Sequence, residues 1–226
     1  MRTLLALAAL GTWASPLAGQ SLGEVCRGLA ERMTVGSWAE YRMSGPQGPM
    51  QMRFAVIGKE AVAGKDHIWF EFKMSSTQGT MIMQALVPGF PYDQDKVESL
   101  VMKMGDQPAM KMPKSMLAMA TQGMRGQNPA AGAGDALKKC ESAELIGRET
   151  IQVPAGSFET LHFRNTEASQ KGEGWVSQDV PMGIVKMTWE GSGGSPGGDM
   201  VLLGHGKDAK SSITETPQEM PGMPRR

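Results

Sequence analysis

Residues 144–189 decide the fold of this 226-residue chain, and they read ELIGRETIQVPAGSFETLHFRNTEASQKGEGWVSQDVPMGIVKMTW. Apolar and polar side chains alternate on both sides of the sequence VPAG at 153–156, and this period of two predicts half-buried β-strands. In that turn, Pro154 fixes φ and Gly156 can adopt a positive φ. The stretch therefore predicts a β-hairpin, and residues 175–176 and 184–189 predict further strands of an antiparallel meander.

Two motifs in this stretch resemble a module of secreted bacterial proteins, the lipoprotein-carrier-like superfamily. The first is V-P-A-G-x-F at 153–158, and the second is W-V-S-x-x-V-P-x-G-x-V-K at 175–186. The stretch at 144–189 that contains the two motifs covers about a fifth of the chain. The resemblance implies an antiparallel, half-open β-barrel around an apolar cavity, with one or two short helices at the barrel.

The remainder of the chain predicts one domain between two terminal segments. Residues 1–19 have the charged start, short apolar centre and small-residue end of a secretory signal peptide, which predicts a periplasmic or secreted protein. Residues 20–209 are expected to form the incomplete β-barrel, with a helix from Ser21 to before Gly36 and a second helix that Pro113 opens. Residues 210–226 lack periodicity and are expected to form a disordered tail.

Composition limits the classes of partner. The chain has 23 basic and 23 acidic residues, a balance that favours neither nucleic acid nor an anionic membrane surface. Hydrophobic residues make up 40% of the chain, which is within the globular range, and no segment after the signal peptide is long and apolar enough to span a membrane.

The strands predicted between Ser37 and Met112 alternate apolar and polar residues. Their polar positions, among them Arg53 and Glu71, predict that one side of the sheet faces water. Their apolar positions predict one shared face, which lines either a ligand cavity or a core, and this candidate site comprises Met50, Met52, Phe54, Phe70, Phe72, Met81, Met83, Met102 and Met104.

Methionine is unusually frequent, with 20 residues in the chain. Four Met-x-Met pairs place both members on the same face of a strand: Met50/Met52, Met81/Met83, Met102/Met104 and Met110/Met112. Three interpretations stay open. The methionines form a deformable core, they line an adaptable apolar cavity for an acyl chain, or their thioethers capture Cu(I).

Cys26 and Cys140 are the only cysteines in the chain. A secreted protein enters an oxidising compartment, so the pair predicts one disulfide. A redox role is disfavoured because the two residues lack the C-x-x-C spacing that lowers a thiol pKa.

No motif predicts catalysis, a cofactor or a metal site with His ligands. The three histidines, His67, His162 and His205, have neither the spacing of a zinc site nor that of a Ser/His/Asp triad. The sequence therefore favours a non-enzymatic periplasmic carrier of a lipid or another apolar ligand. The alternatives are an envelope-assembly module whose barrel is filled by its own side chains, with an envelope protein as partner, and a copper-handling protein.

Overall fold

The structure is a computed structural model of the whole chain. It describes residues 23, 24, 26, 28, 32–45, 48–90, 94–117, 143–166, 171–191 and 197–220. The predicted signal peptide, Cys140 and the end of the tail at 221–226 lie outside the described residues.

Twelve β-strands form most of the described chain, as the alternating sequence predicts. Their bounds are β1 (Trp38–Ser44), β2 (Met50–Val62), β3 (Lys65–Ser76), β4 (Gly79–Val87), β5 (Ser99–Met104), β6 (Met110–Lys111), β7 (Glu144–Val153), β8 (Gly156–Asn165), β9 (Gly172–Val176), β10 (Ile184–Trp189), β11 (Gly198–Gly206) and β12 (Gln218–Glu219).

The strands belong to a single sheet that does not close on itself. Its order is β12-β6-β5-β4-β3-β2-β1-β11-β10-β9-β8-β7, and every pairing is antiparallel except the short one between β12 and β6. The predicted hairpin of β7 and β8 is confirmed, with Val153 opposite Gly156. Gly156 has a φ of 133°, a value that L side chains rarely adopt, which explains glycine at this turn.

The hairpin of β7 and β8 contacts strands that are not its neighbours in the sheet. The backbone N–H of Ala155, in the turn between β7 and β8, donates to the carbonyl of Leu202 on β11, at 3.3 Å. In the sheet, β9 and β10 separate β8 from β11. Val153 and Phe158 consequently join the same buried cluster as Tyr41 and Phe54. The predicted fold class, a mainly antiparallel and half-open β-barrel with short helical pieces, is confirmed.

Helical structure occurs where the sequence predicts it. Gly23, Glu24, Cys26 and Gly28 are helical, and a second helix begins at Lys114, directly after Pro113. In the part of the chain that the structure describes, no helix has the length and apolarity that a membrane crossing requires.

The prediction of a disordered tail from residue 210 is wrong for residues 210–220. This segment crosses the outer face of β3, β4 and β5 and ends in β12, so the domain extends past residue 209. Ile213 is buried there with Ile82, Val101 and Ala109. Sequence periodicity missed the segment because its contacts fix an extended chain without a repeating pattern of apolar residues.

Candidate functional site

The predicted apolar face exists, and strand register arranges its side chains in rows. One row runs across the sheet through Phe54, Phe72, Met83 and Met102. The next row contains Val56, Phe70, Ala85 and Leu100. Directly paired residues of neighbouring strands share a face of the sheet, so these rows form one continuous apolar surface.

Most of these two rows pack as core. Phe54, Phe70, Phe72 and Met83 are buried in the main cluster, and Met52 of the neighbouring row joins them. The ring centroid of Phe54 lies 5.1 Å from that of Phe72 and 6.2 Å from that of Phe70. These are ordinary contact distances for aromatic pairs, so this half of the predicted cavity lining contacts other side chains.

On the same face of the sheet, the row next to Phe54 and Phe72 consists of methionines. Met52, Met74, Met81 and Met104 lie side by side on β2, β3, β4 and β5. A continuation crosses β10, β11, β1 and β2 through Met187, Met200, Met43 and Met50. These eight residues are called the methionine rows below.

Burial decreases along the methionine rows. Met52 is buried, Met74 and Met81 are half-buried against the core, and Met104 is 57% exposed. The predicted site residue Met50 is half-buried and Met104 is exposed, so neither belongs to the buried core. Met43, Met74, Met187 and Met200 were absent from the predicted site. Period two places Met74 on the same face of β3 as Phe72, whereas only the register between strands shows that Met43, Met187 and Met200 adjoin the site.

The outer face of the same strands is not the wet surface that alternation predicts. Glu71 is 0% exposed, although the sequence places it on the polar side of β3. Its carboxylate accepts hydrogen bonds from Arg53 Nη1 at 3.2 Å and from Gln84 Nε2 at 2.8 Å. The backbone N–H and the hydroxyl of Ser212 donate to it at 2.8 and 2.7 Å. The C-terminal segment therefore covers this carboxylate and supplies two of its four hydrogen bonds.

A second polar cluster surrounds His162 on β8. Its ring stacks on Trp175 with centroids 4.4 Å apart, and its two nitrogens face Glu149 and Glu173 at 3.0 and 3.2 Å. Glu173 also accepts hydrogen bonds from Arg164, which lower the pKa of its carboxyl below the usual range, and His162 adds to this effect. No serine or cysteine contacts His162 among the described hydrogen bonds. The cluster is a network of hydrogen bonds and ion pairs between neighbouring strands.

Cys26 is fully buried against Leu161, Phe163 and Val176, in a cluster separate from the main core. No free cysteine occurs in the described part of the chain. Cys140 lies outside it, so the predicted bond between Cys26 and Cys140 stays a prediction. Thiol titration of denatured, unreduced protein tests it, and two free thiols would contradict it.

No protein-family model matches this sequence, and no curated protein is significantly similar to it. Solved structures do resemble the fold. A Bacteroides fragilis protein with a YmcC-like fold is 14% identical, with 77% of this chain and 97% of that chain covered and a TM-score of 0.36.

The MucA/MucB complex of Pseudomonas aeruginosa is 9% identical over 84% of this chain and 58% of that chain, with a TM-score of 0.39. A DUF1329 family protein from Desulfovibrio piger is 10% identical over 86% and 93%, with a TM-score of 0.32. Likenesses at these scores identify neither a family nor a function for this chain.

Proposed function

We propose that this chain is a non-enzymatic binding protein of the periplasm or cell exterior that receives an apolar ligand, the acyl chain of a lipid, on its methionine rows. The predicted signal peptide supports the location. The observation that carries the proposal is the decrease in burial along one row, from buried Met52 through half-buried Met74 and Met81 to exposed Met104.

Methionine suits such a surface. Its side chain is unbranched and has three rotatable bonds, so a row of methionines can adjust to a flexible chain of varying shape. The aromatic residues of the adjacent row supply a rigid boundary, because Phe54 and Phe72 are packed in the core. An acyl chain lying along the rows would remove partly exposed apolar area from water at both partners, and each buried CH₂ contributes about 0.8 kcal/mol.

A fluorescent fatty acid tests this proposal with the full mature chain. Substitution Met104→Glu places a charge at the exposed end of the rows, where folding tolerates it, and should weaken binding of the probe at least about tenfold, or ~1.4 kcal/mol. Val35→Glu is the matched control, because Val35 is exposed to a similar degree and lies outside the rows. Equal binding by Met104→Glu and the control, or no binding by the wild-type chain, would overturn the proposal and favour a self-filled barrel.

A second candidate function is Cu(I) handling, which the side-by-side methionines also favour because thioethers are soft ligands. Met74, Met81 and Met104 occupy adjacent strands in direct register. Native mass spectrometry of protein isolated from its own periplasm distinguishes the two functions, since a retained lipid and a retained copper ion add different masses. Met81→Leu keeps the apolar surface and removes a thioether, so it should abolish copper retention and spare the fatty-acid probe.

A further inference from the structure

Met104 is the most exposed methionine in the part of the chain that the structure describes. It is 57% exposed, whereas Met52 and Met83 are 5% and 4% exposed. A dissolved oxidant reaches a thioether only where its sulfur is accessible, so exposure orders the reactivity of side chains that are otherwise chemically alike. We therefore expect the sulfur of Met104 to react before those of the buried methionines.

Met104 also forms the exposed end of a methionine row. It pairs directly with Met81 on β4, and Met81 pairs with Met74 on β3. Directly opposite residues on neighbouring strands have Cβ atoms about 4.5–5.5 Å apart, so a ligand that covers Met81 also approaches Met104. Oxidation of Met104 to the sulfoxide would place a polar S=O group at the end of this apolar surface.

The fold tolerates a polar group at this position, because Met104 is outside the buried core. Met102, two residues earlier on the same face of β5, is half-buried and packs against that core. At buried Met52, a sulfoxide would place its dipole among apolar side chains, which costs free energy. At Met104, water solvates the new group. The same reaction therefore destabilises the protein at Met52 and changes only its surface at Met104.

We propose that Met104 is an oxidation site through which hydrogen peroxide lowers the affinity of the methionine rows for an apolar ligand while the barrel stays folded. A lone pair of the Met104 sulfur attacks one peroxide oxygen, so the S–O bond forms as the O–O bond breaks. The proton of the transferred oxygen passes to the departing hydroxide, and water leaves. The sulfur loses two electrons and the peroxide gains them. The loss of affinity rests on the proposed function, whereas the reactivity of Met104 does not.

Limited treatment of the full mature chain with hydrogen peroxide, followed by peptide mass spectrometry, tests the site. In the folded protein, Met104 should be oxidised several-fold faster than Met52 and Met102. The three rates should converge in concentrated urea, where the fold no longer shields any sulfur. Equal rates in the folded protein would overturn the site. The unfolding midpoint of protein oxidised at Met104 alone should match that of untreated protein, and a lower midpoint would contradict a change confined to the surface.

A fluorescent fatty acid measures the effect of oxidation on binding. Peroxide-treated wild-type protein should bind the probe several-fold more weakly than untreated protein, and methionine sulfoxide reductase should restore the affinity. Met104→Leu should keep its own untreated affinity after peroxide, because leucine has no sulfur. Met220→Leu is the matched control, since Met220 is outside the methionine rows, and it should respond to peroxide as the wild type does.

The two measurements separate the oxidation site from the proposed function. Oxidation of Met104 without loss of probe affinity, or an equal loss in Met104→Leu, would overturn the control of binding by oxidation. Absence of probe binding by untreated wild-type protein would overturn the proposed function and the control of binding together. The order of oxidation rates would still decide the Met104 site, because that measurement requires no ligand.

Discussion

Two carboxylate clusters on this sheet each pair a glutamate with an arginine, at very different depths. Glu71 on β3 is wholly buried and bonds to Arg53, Gln84 and Ser212. Glu173 on β9 is about one third exposed and bonds to Arg164 and His162. Burial strengthens electrostatic interactions and also makes a lost partner expensive, so position rather than partner type decides how much each cluster matters for stability.

The two clusters also differ in what they connect. Glu173 joins neighbouring strands of the meander, which their backbone hydrogen bonds already hold together. Glu71 joins the sheet to a segment that is 141 residues away in sequence and has little regular structure of its own. The buried cluster therefore fixes the path of the chain, and the exposed one adds to a pairing that exists without it.

The largest expected effect in this comparison comes from Glu71→Ala. The substitution leaves the amide of Gln84, the backbone N–H of Ser212 and part of Arg53 without their acceptor. Breaking a buried ionic network in this way costs about 3–5 kcal/mol. Urea unfolding monitored by tryptophan fluorescence measures the loss.

Glu190→Ala is the control for this substitution, because Glu190 is exposed and its side chain is outside both clusters. The control should change the free energy of unfolding by less than about 0.5 kcal/mol. If Glu71→Ala behaved like the control, the buried cluster would not hold the C-terminal segment.

Ile213→Ala should have the next largest effect. Ile213 is buried against Ile82, Val101 and Ala109, so truncation leaves a small void beneath the C-terminal segment. We expect a loss of about 2–3 kcal/mol, at the low end for a core isoleucine because a surface segment can partly collapse onto the void.

Hydrogen exchange locates this effect. The N–H of Gln218 donates to the carbonyl of Ala109, and the N–H of Met220 donates to the carbonyl of Lys111 on β6. Both amides should lose protection in Ile213→Ala. The amides of β7 and β8 should keep theirs, and uniform loss of protection would show that the segment and the sheet unfold as one unit.

The sequence predicted most of the longer strands because they alternate apolar and polar residues and end at turn-forming residues. The hairpin at Val153 and Gly156 was recognisable from its turn residues and the alternation on both sides of them. The C-terminal segment was not, since what holds Ser212 and Ile213 is a surface assembled from β3, β4 and β5. Glu71 was predicted to face water and is buried for the same reason. Alternation identifies the face of a strand on which a residue lies, and does not show what covers that face.

The candidate site was also predicted only in part. Period two correctly placed Met81 with Met83 and Met102 with Met104 on one face. It could not distinguish buried Met83 from exposed Met104, because burial depends on the position along the strand relative to the core. Met187 and Met200 join the methionine rows only through the register between strands, which the sequence does not show.

The exposed cluster should show the smallest effect. Glu173→Gln removes the charge that Arg164 contacts at 2.8 Å and keeps a side chain of the same size. Because the pair is solvent-exposed and screened by salt, the change in unfolding free energy should be several-fold smaller than for Glu71→Ala, and smaller still at high ionic strength. A loss of unfolding free energy as large as that of Glu71→Ala would show that burial does not determine how much each cluster contributes to stability.

The titration of Glu173 tests which neighbouring side chain stabilises its charge. Hydrogen bonds from Arg164 lower the pKa of the Glu173 carboxyl, and His162 contributes less. Because the folded pKa lies below the unfolded one, near 4.3, the contribution to stability is complete above the unfolded pKa and is lost as pH falls through the folded value. Carboxyl-detected NMR titration should therefore find the Glu173 midpoint below the usual range in the wild type and raised in Arg164→Gln. His162→Gln should raise it less, and a larger shift in His162→Gln than in Arg164→Gln would show that the imidazole holds the charge of Glu173.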